Sequence, residues 1–162
     1  MSYPDALFHG ETGEVSARFR TADTPPDITY PHGTTVEYLN TGASTGGHFG
    51  LYRWNMAPGP GGPALHFHRT FSESFFILSG TVTLGDGAKE LQASSGDYLH
   101  VPPGGLHSFR NDTDDPASML LLFSPGAPRE EYFEGLLELA EGKQLSPEAL
   151  DAFFVAHDNL YV

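Results

Sequence analysis

From Thr35 onward the chain alternates short apolar stretches with turn-forming residues. The stretches are Thr35 to Leu39, Phe49 to Met56, Ser74 to Leu78, Thr81 to Leu84, Glu90 to Gln92, Tyr98 to Val101, Ser108 to Arg110 and Ser118 to Phe123. Between them lie Asn40 to Gly47, Ser79-Gly80, Gly85-Asp86-Gly87, Ser95-Gly96-Asp97, Pro102 to Gly105 and Asn111 to Pro116, each supplying Gly, Asn, Asp or Pro where the backbone must reverse. Punctuation this frequent predicts an all-β fold, an antiparallel sandwich or barrel. Residues 1–34, interrupted by Pro25-Pro26 and Pro31, read as an N-terminal arm. After Pro125 the period changes. Tyr132, Phe133, Leu136, Leu137 and Ala140 recur at helical spacing between Arg129 and Glu141, with Gly142 as a stop. Ser146-Pro147 then caps and opens a second helix with Leu150, Phe153 and Phe154 on its apolar face. Residues 126–162 are therefore expected to form a C-terminal helical segment packed on the β core.

Composition narrows this picture. A length of 162 residues suits one ordinary domain, and 19 Gly with 13 Pro argue against a helical bundle. No cysteine is present, which removes disulfides, thiolate nucleophiles and cysteine-based metal sites and leaves His, Asp and Glu to hold any metal. Eight Lys plus Arg against 21 Asp plus Glu give a formal charge of -13, which opposes nucleic-acid phosphates and anionic lipid. No apolar run reaches spanning length, and Met1 to Gly10 lacks a basic segment followed by an apolar one. The expectation is a cytoplasmic protein with neither nucleic-acid nor membrane partners.

The candidate chemistry is concentrated in Ala64-Leu65-His66-Phe67-His68-Arg69-Thr70-Phe71-Ser72-Glu73. In extended chain, residues two apart share a face, so His66 and His68 project together while Phe67 points away. Glu73 leads an apolar face with Phe75 and Ile77, where an unpaired carboxylate would cost several kcal/mol. A metal ion is the natural partner. Downstream, the Pro102 to Gly105 turn delivers His107 to a short strand, with Phe109 and Asn111 on its face. Three imidazoles and one carboxylate suit a divalent Mn, Fe, Co, Ni, Cu or Zn and leave positions open for catalysis. Phe75, Ile77 and Phe109 share faces with the donors and are candidate pocket residues. His9, His32, His48, His100 and His157 read as ordinary surface or core histidines.

These residues resemble the two motifs of the cupin superfamily. The first, G-x5-H-x-H-x3,4-E-x6-G, matches at His66, His68, Glu73 and Gly80, with Pro60 at its leading glycine. The second, G-x5-P-x-G-x2-H-x3-N, matches at Gly96, Pro102, Gly104, His107 and Asn111. Fifteen residues, Thr81 to Ser95, separate them, as in small single-domain microbial cupins. The resemblance covers roughly residues 45 to 125 and implies a small jelly-roll β-barrel over residues 35–125, holding a metal on His66, His68, Glu73 and His107. It also implies a homodimer, with the N-terminal arm lying on the partner.

Within the superfamily the stretch from Gly47 to Gly80, with the acidic helical tail, looks most like quercetin dioxygenase-like members. The resulting expectation is a metal-dependent dioxygenase acting on a small aromatic or enolic, flavonol-like substrate, with Glu73 as general base. The alternatives are a non-redox isomerase, polyketide cyclase or lyase, and a small-molecule binding module without catalysis.

Overall fold

A side-chain period of two selects the faces of the long strands. In β3 (Gly50–Met56), Gly50, Tyr52, Trp54 and Met56 are buried while Leu51, Arg53 and Asn55 are half-exposed. The same alternation in β10 (Ala117–Ser124) buries Ala117, Met119, Leu121 and Phe123. The two strands pair antiparallel, Met119 opposite Trp54 and Leu121 opposite Tyr52, so their large side chains rise from one face.

The computed structural model describes residues 2–162. Its remaining strands are β1 (Ile28–Thr29), β2 (Thr35–Asn40), β4 (His66–Phe67), β5 (Ser72–Ser79), β6 (Thr81–Gly85), β7 (Glu90–Ser94), β8 (Tyr98–Val101), β9 (Ser108–Arg110) and β11 (Leu160–Tyr161). They form a six-stranded sheet ordered β1-β2-β3-β10-β5-β8, a three-stranded sheet β7-β6-β9 and a two-stranded sheet β11-β4. The jelly-roll expectation of an all-β body with C-terminal helices holds. Phe109 of the three-stranded sheet meets Trp54 and Phe75 of the six-stranded one at ring separations of 6.1 and 5.7 Å, so the core lies between the sheets. The β5–β6 turn needs Gly80: its φ is +73°, and a Cβ there would sit 2.5 Å from the Pro116 carbonyl oxygen.

Two helices follow, α1 (Arg129–Ala140) and α2 (Pro147–Ala156). Helix α1 closes one end of the core, with Phe133 5.2 Å from Tyr52 and 5.1 Å from Trp54, and its carbonyl accepts a hydrogen bond from Tyr30 Oη at 3.0 Å. Helix α2 begins as expected: Ser146 Oγ accepts from the Ala149 amide, and Pro147 occupies the first turn. It packs on the edge of the core with no residue fully buried: Phe153 stacks on Tyr132 of α1 and Phe154 meets Tyr161. The chain then returns as β11 alongside β4, pairing Tyr161 with His66. This strand gives the C-terminal segment a β component that its helical period conceals.

Asn111 fastens the loops at the far end. Fully buried, it donates from Nδ2 to the carbonyls of Ala57 and Asp115 and accepts at Oδ1 from the Thr113 amide and hydroxyl. Removing that amide breaks four hydrogen bonds at a fully buried position, so Asn111→Ala is expected to lower unfolding free energy by about 3 kcal/mol in urea titrations. A loss below about 1 kcal/mol would show that the loops do not depend on it.

Candidate metal centre and cavity

His66, His68, Glu73 and His107 converge. Each offers one ligand atom, and these atoms all lie within 4.8 Å of one another at a buried point. Backbone pairing brings them there. The His66 amide donates to the His107 carbonyl at 3.0 Å and the His107 amide returns the bond at 2.9 Å, which clamps β4 against the start of β9. Gly104, at φ +83°, turns its amide onto the His68 carbonyl at 2.6 Å. Glu73 lies near the start of β5 between Val101 of the edge strand β8 and Phe123 of β10.

Hydrogen bonds to the backbone set the imidazole tautomers. His66 Nδ1 lies 2.8 Å from the Ala64 carbonyl oxygen, His68 Nδ1 2.5 Å from that of Asp158, and His107 Nδ1 3.0 Å from that of Gly105. A carbonyl only accepts, so every Nδ1 carries a proton and donates. Each neutral ring then presents a bare Nε2 lone pair. Two of these, on His68 and His107, face Glu73 Oε2 at 3.0 and 2.9 Å. A lone pair against a carboxylate oxygen repels unless a cation stands between them, either a second proton on the ring or a metal ion. Backbone anchoring of Nδ1 is the usual outer support of a metal-binding histidine. The four donors therefore fit a divalent transition metal.

The same geometry governs titration without metal. Burial pushes the Glu73 carboxyl up, but hydrogen bonds from His107 and His68 outweigh it and hold the group well below the usual carboxylate range. Burial pulls His107 down, while its hydrogen bond and attraction to Glu73 leave it above the ordinary imidazole value. His66 lacks that contact; burial, then repulsion from His107, brings it down to about 4.

Beside the donors opens a cavity of about 500 Å³, which His66 and Glu73 line but His68 and His107 do not. A metal held here would face it through the His66 and Glu73 side. Phe109, expected as a pocket residue, lines the cavity; Phe75 and Ile77 are fully buried away from its lining and fill the core between the sheets. His32 stands at the cavity wall.

Contributions from the C-terminal segment are the main addition to what the motifs show. Asp158, at φ +54°, holds His68 by its carbonyl and receives at its carboxylate the amides of Arg69 and Thr70 at 2.8 to 3.0 Å. Arg129, Tyr132, Phe133 and Leu136 of α1 line the cavity, as do Asn159 and Tyr161. The only sequence signal for this role was the polar Asp158-Asn159 pair between a helix and a short apolar end, a pattern common to ordinary turns.

Comparison with known proteins points the same way as the two motifs. Residues 52–123 match the family described as Cupin domain. That stretch takes in His66, His68, Glu73 and His107 and is similar to the cupin pattern across the β body. Quercetin 2,3-dioxygenase of Bacillus subtilis (strain 168) is 34% identical over 96 residues, which make up 57% of this chain and 28% of that protein. The chain thus spans less than a third of that relative's length. Among solved structures, a predicted oxalate decarboxylase from Thermotoga maritima superposes with a TM-score of 0.59 at 21% identity, covering 67% of this chain and 99% of the other. The polyketide cyclase RemF from Streptomyces resistomycificus gives a TM-score of 0.55 at 20% identity, over 67% and 79% respectively. These two share the cupin fold with the chain.

The pKa directions predict how the metal-free protein responds to pH. Unfolded His66 takes up a proton near 6.5 and the folded residue only near 4, so stability falls as pH drops through that window, by about 3 kcal/mol for this group. Glu73, depressed on folding, adds to the loss below about 4.5. His107, raised on folding, contributes stability below about 6.5 that disappears as pH rises above it. Urea unfolding of chelator-treated protein is expected to show greatest stability near pH ~6.5, and a flat profile from there down to ~4.5 would contradict a buried neutral His66.

Proposed function

We propose that the chain is a metal-dependent cupin enzyme, a dioxygenase acting on a small aromatic or enolic compound. The observation that carries this reading is the set of three carbonyl-anchored imidazoles and one carboxylate on one buried point, opening onto an aromatic-lined cavity. The likeness to quercetin 2,3-dioxygenase supports the oxidative chemistry. His66, His68, Glu73 and His107 would hold one divalent Mn, Fe, Co, Ni, Cu or Zn. When bound, that ion supplies open positions and residual positive charge, which favour an enolate or phenolate over its neutral acid.

The protein's own groups do the rest. Glu73 lines the cavity and is the one anionic donor of the four, so it accepts the substrate hydroxyl proton on a carboxylate oxygen. The three Nδ1–H bonds keep the imidazoles in one tautomer throughout. Trp54, Phe109 and Phe133 exclude water from the ring of the substrate and contact its faces.

The arm adds an assembly reading. Residues 2–27 contain no helix or strand, and Tyr3, Leu7, Val15 and Phe19 are largely exposed. In the proposed homodimer these side chains are covered by the neighbouring copy, and sedimentation at micromolar concentration is expected to give twice the chain mass; a single-chain mass would exclude it.

Variants separate the roles of the four donors. His66→Ala and His107→Ala are expected to abolish both metal content by elemental analysis and oxygen uptake. Glu73→Gln is expected to keep part of the metal and lose about 100-fold or more in turnover. Full metal occupancy in the His66/His107 double variant would overturn the ligand assignment. Undiminished product in the absence of dioxygen would replace the dioxygenase reading by a non-redox isomerase, cyclase or lyase.

A further inference from the structure

The cavity contains a second positive centre that the metal chemistry does not use. Arg129, at the first turn of α1, lines the cavity and is only 4% exposed. Its Nη1 donates to the His157 carbonyl at 2.7 Å and its Nη2 to Asn159 Oδ1 at 2.9 Å, both uncharged acceptors. Its Nε has no hydrogen-bond partner among the described residues, and no carboxylate lies within 4.0 Å of the guanidinium. Four aromatic rings surround it, those of Tyr132, Phe123, Phe71 and Phe133 at 4.2, 5.2, 5.3 and 5.6 Å.

Such an environment is costly for a residue that stays protonated at any working pH. Cation–π contact recovers part of the cost. Tethering the C-terminal segment through two neutral acceptors does not need a full charge, since an amide would serve. The nearest acid on the cavity wall is Glu73, and its carboxylate is already occupied by His68 and His107. Once a divalent cation sits on that carboxylate, no free negative charge is left there to answer the guanidinium. The cavity then has a positive centre at the His66 and Glu73 wall, a second at Arg129, and aromatic surface between.

We propose that Arg129 binds the carboxylate of the substrate, so that the cavity selects a hydroxyaryl or enolic carboxylic acid rather than a neutral flavonol-like ring. The hydroxyl or enol end faces the metal wall, and the carboxylate meets the guanidinium, which gains the anionic partner it lacks within the protein. This deepens the proposed function and rests on it for the placement of the hydroxyl end; the carboxylate site stands on Arg129 and the cavity alone.

The test measures binding by calorimetry of 4-hydroxybenzoate, 4-hydroxycinnamate and 6-hydroxy-2-naphthoate, each against its carboxamide, to chelator-treated and to metal-loaded full-length protein. For at least one pair the acid is expected to bind about 30-fold more tightly than the amide in both states. Arg129→Gln should reduce that preference to within about threefold with metal content unchanged. Should Arg129→Gln fail to fold, the acid-to-amide ratio of the wild type decides by itself, and Arg129→Lys, which keeps the charge without the planar fork, should retain an intermediate preference. Acids binding no better than amides in every pair overturns the proposal, and so does a preference that survives in folded Arg129→Gln. Wild type that keeps the preference but takes up no metal supports the carboxylate site and sinks the metal-dependent reading. Full metal content with no preference does the reverse.

Discussion

Glu73 carries a negative charge at 3% exposure on a strand paired on both sides, and the surrounding structure is arranged to answer it. An isolated carboxylate in that position would cost several kcal/mol or take up a proton. Here it keeps its charge because two imidazoles close on the same oxygen and hold a cation there, a proton on Nε2 or a metal ion between donor and carboxylate. Those rings cannot turn away, since each is fixed at Nδ1 by a backbone carbonyl. The carbonyls belong to Asp158, far along the chain from His68, and to Gly105 in the β8–β9 turn just before His107, so the buried charge is held only when the β5 strand, that turn and the C-terminal return are all in place. The donor cluster is in this sense a product of the complete fold.

The four donors were legible in the sequence because their chemistry is local. His66 and His68 are two residues apart on extended chain, Glu73 opens the next strand, and His107 follows a Pro/Gly turn whose geometry leaves few alternatives. Strand existence was legible for the same reason: alternation in β3 and β10 is strict. The inward face of β3 was not, since Tyr52 and Trp54 alternate with Leu51 and Arg53 and both sets contain large side chains; pairing with the apolar face of β10 decides it. Pocket residues were only partly legible. Sharing a strand face with a ligand places a side chain inside the fold, but the cavity is offset toward α1, so Phe75 and Ile77 fill the core while Phe109 reaches the cavity.

The C-terminal segment was the least legible part because its role depends on contacts 88 to 90 residues away in the chain. A helical period reports the apolar face of α1 and is silent on what that face covers. In the structure the segment supports both ends of the site: Asp158 orients His68, while Asn159 and the His157 carbonyl fix Arg129. Three consecutive residues therefore position a donor imidazole and a cavity cation together. Displacing this short return would disturb the His68 tautomer and the cavity wall at once.

This arrangement sets the interior charge against the exterior. The surface is strongly acidic, at a formal -13 overall, whereas the cavity holds a guanidinium and a donor set suited to a divalent cation. An anionic ligand approaching from solvent meets repulsion that salt screens over about 8 Å at physiological ionic strength. Once inside, it lies among aromatic rings in a medium that screens far less, where attraction to Arg129 is strong. The two fields act on different quantities: the outer one slows association, and the inner one determines how long a correctly charged molecule stays. Selection by such a cavity is therefore expressed in residence more than in capture, and it depends on the same buried architecture that keeps Glu73 ionised.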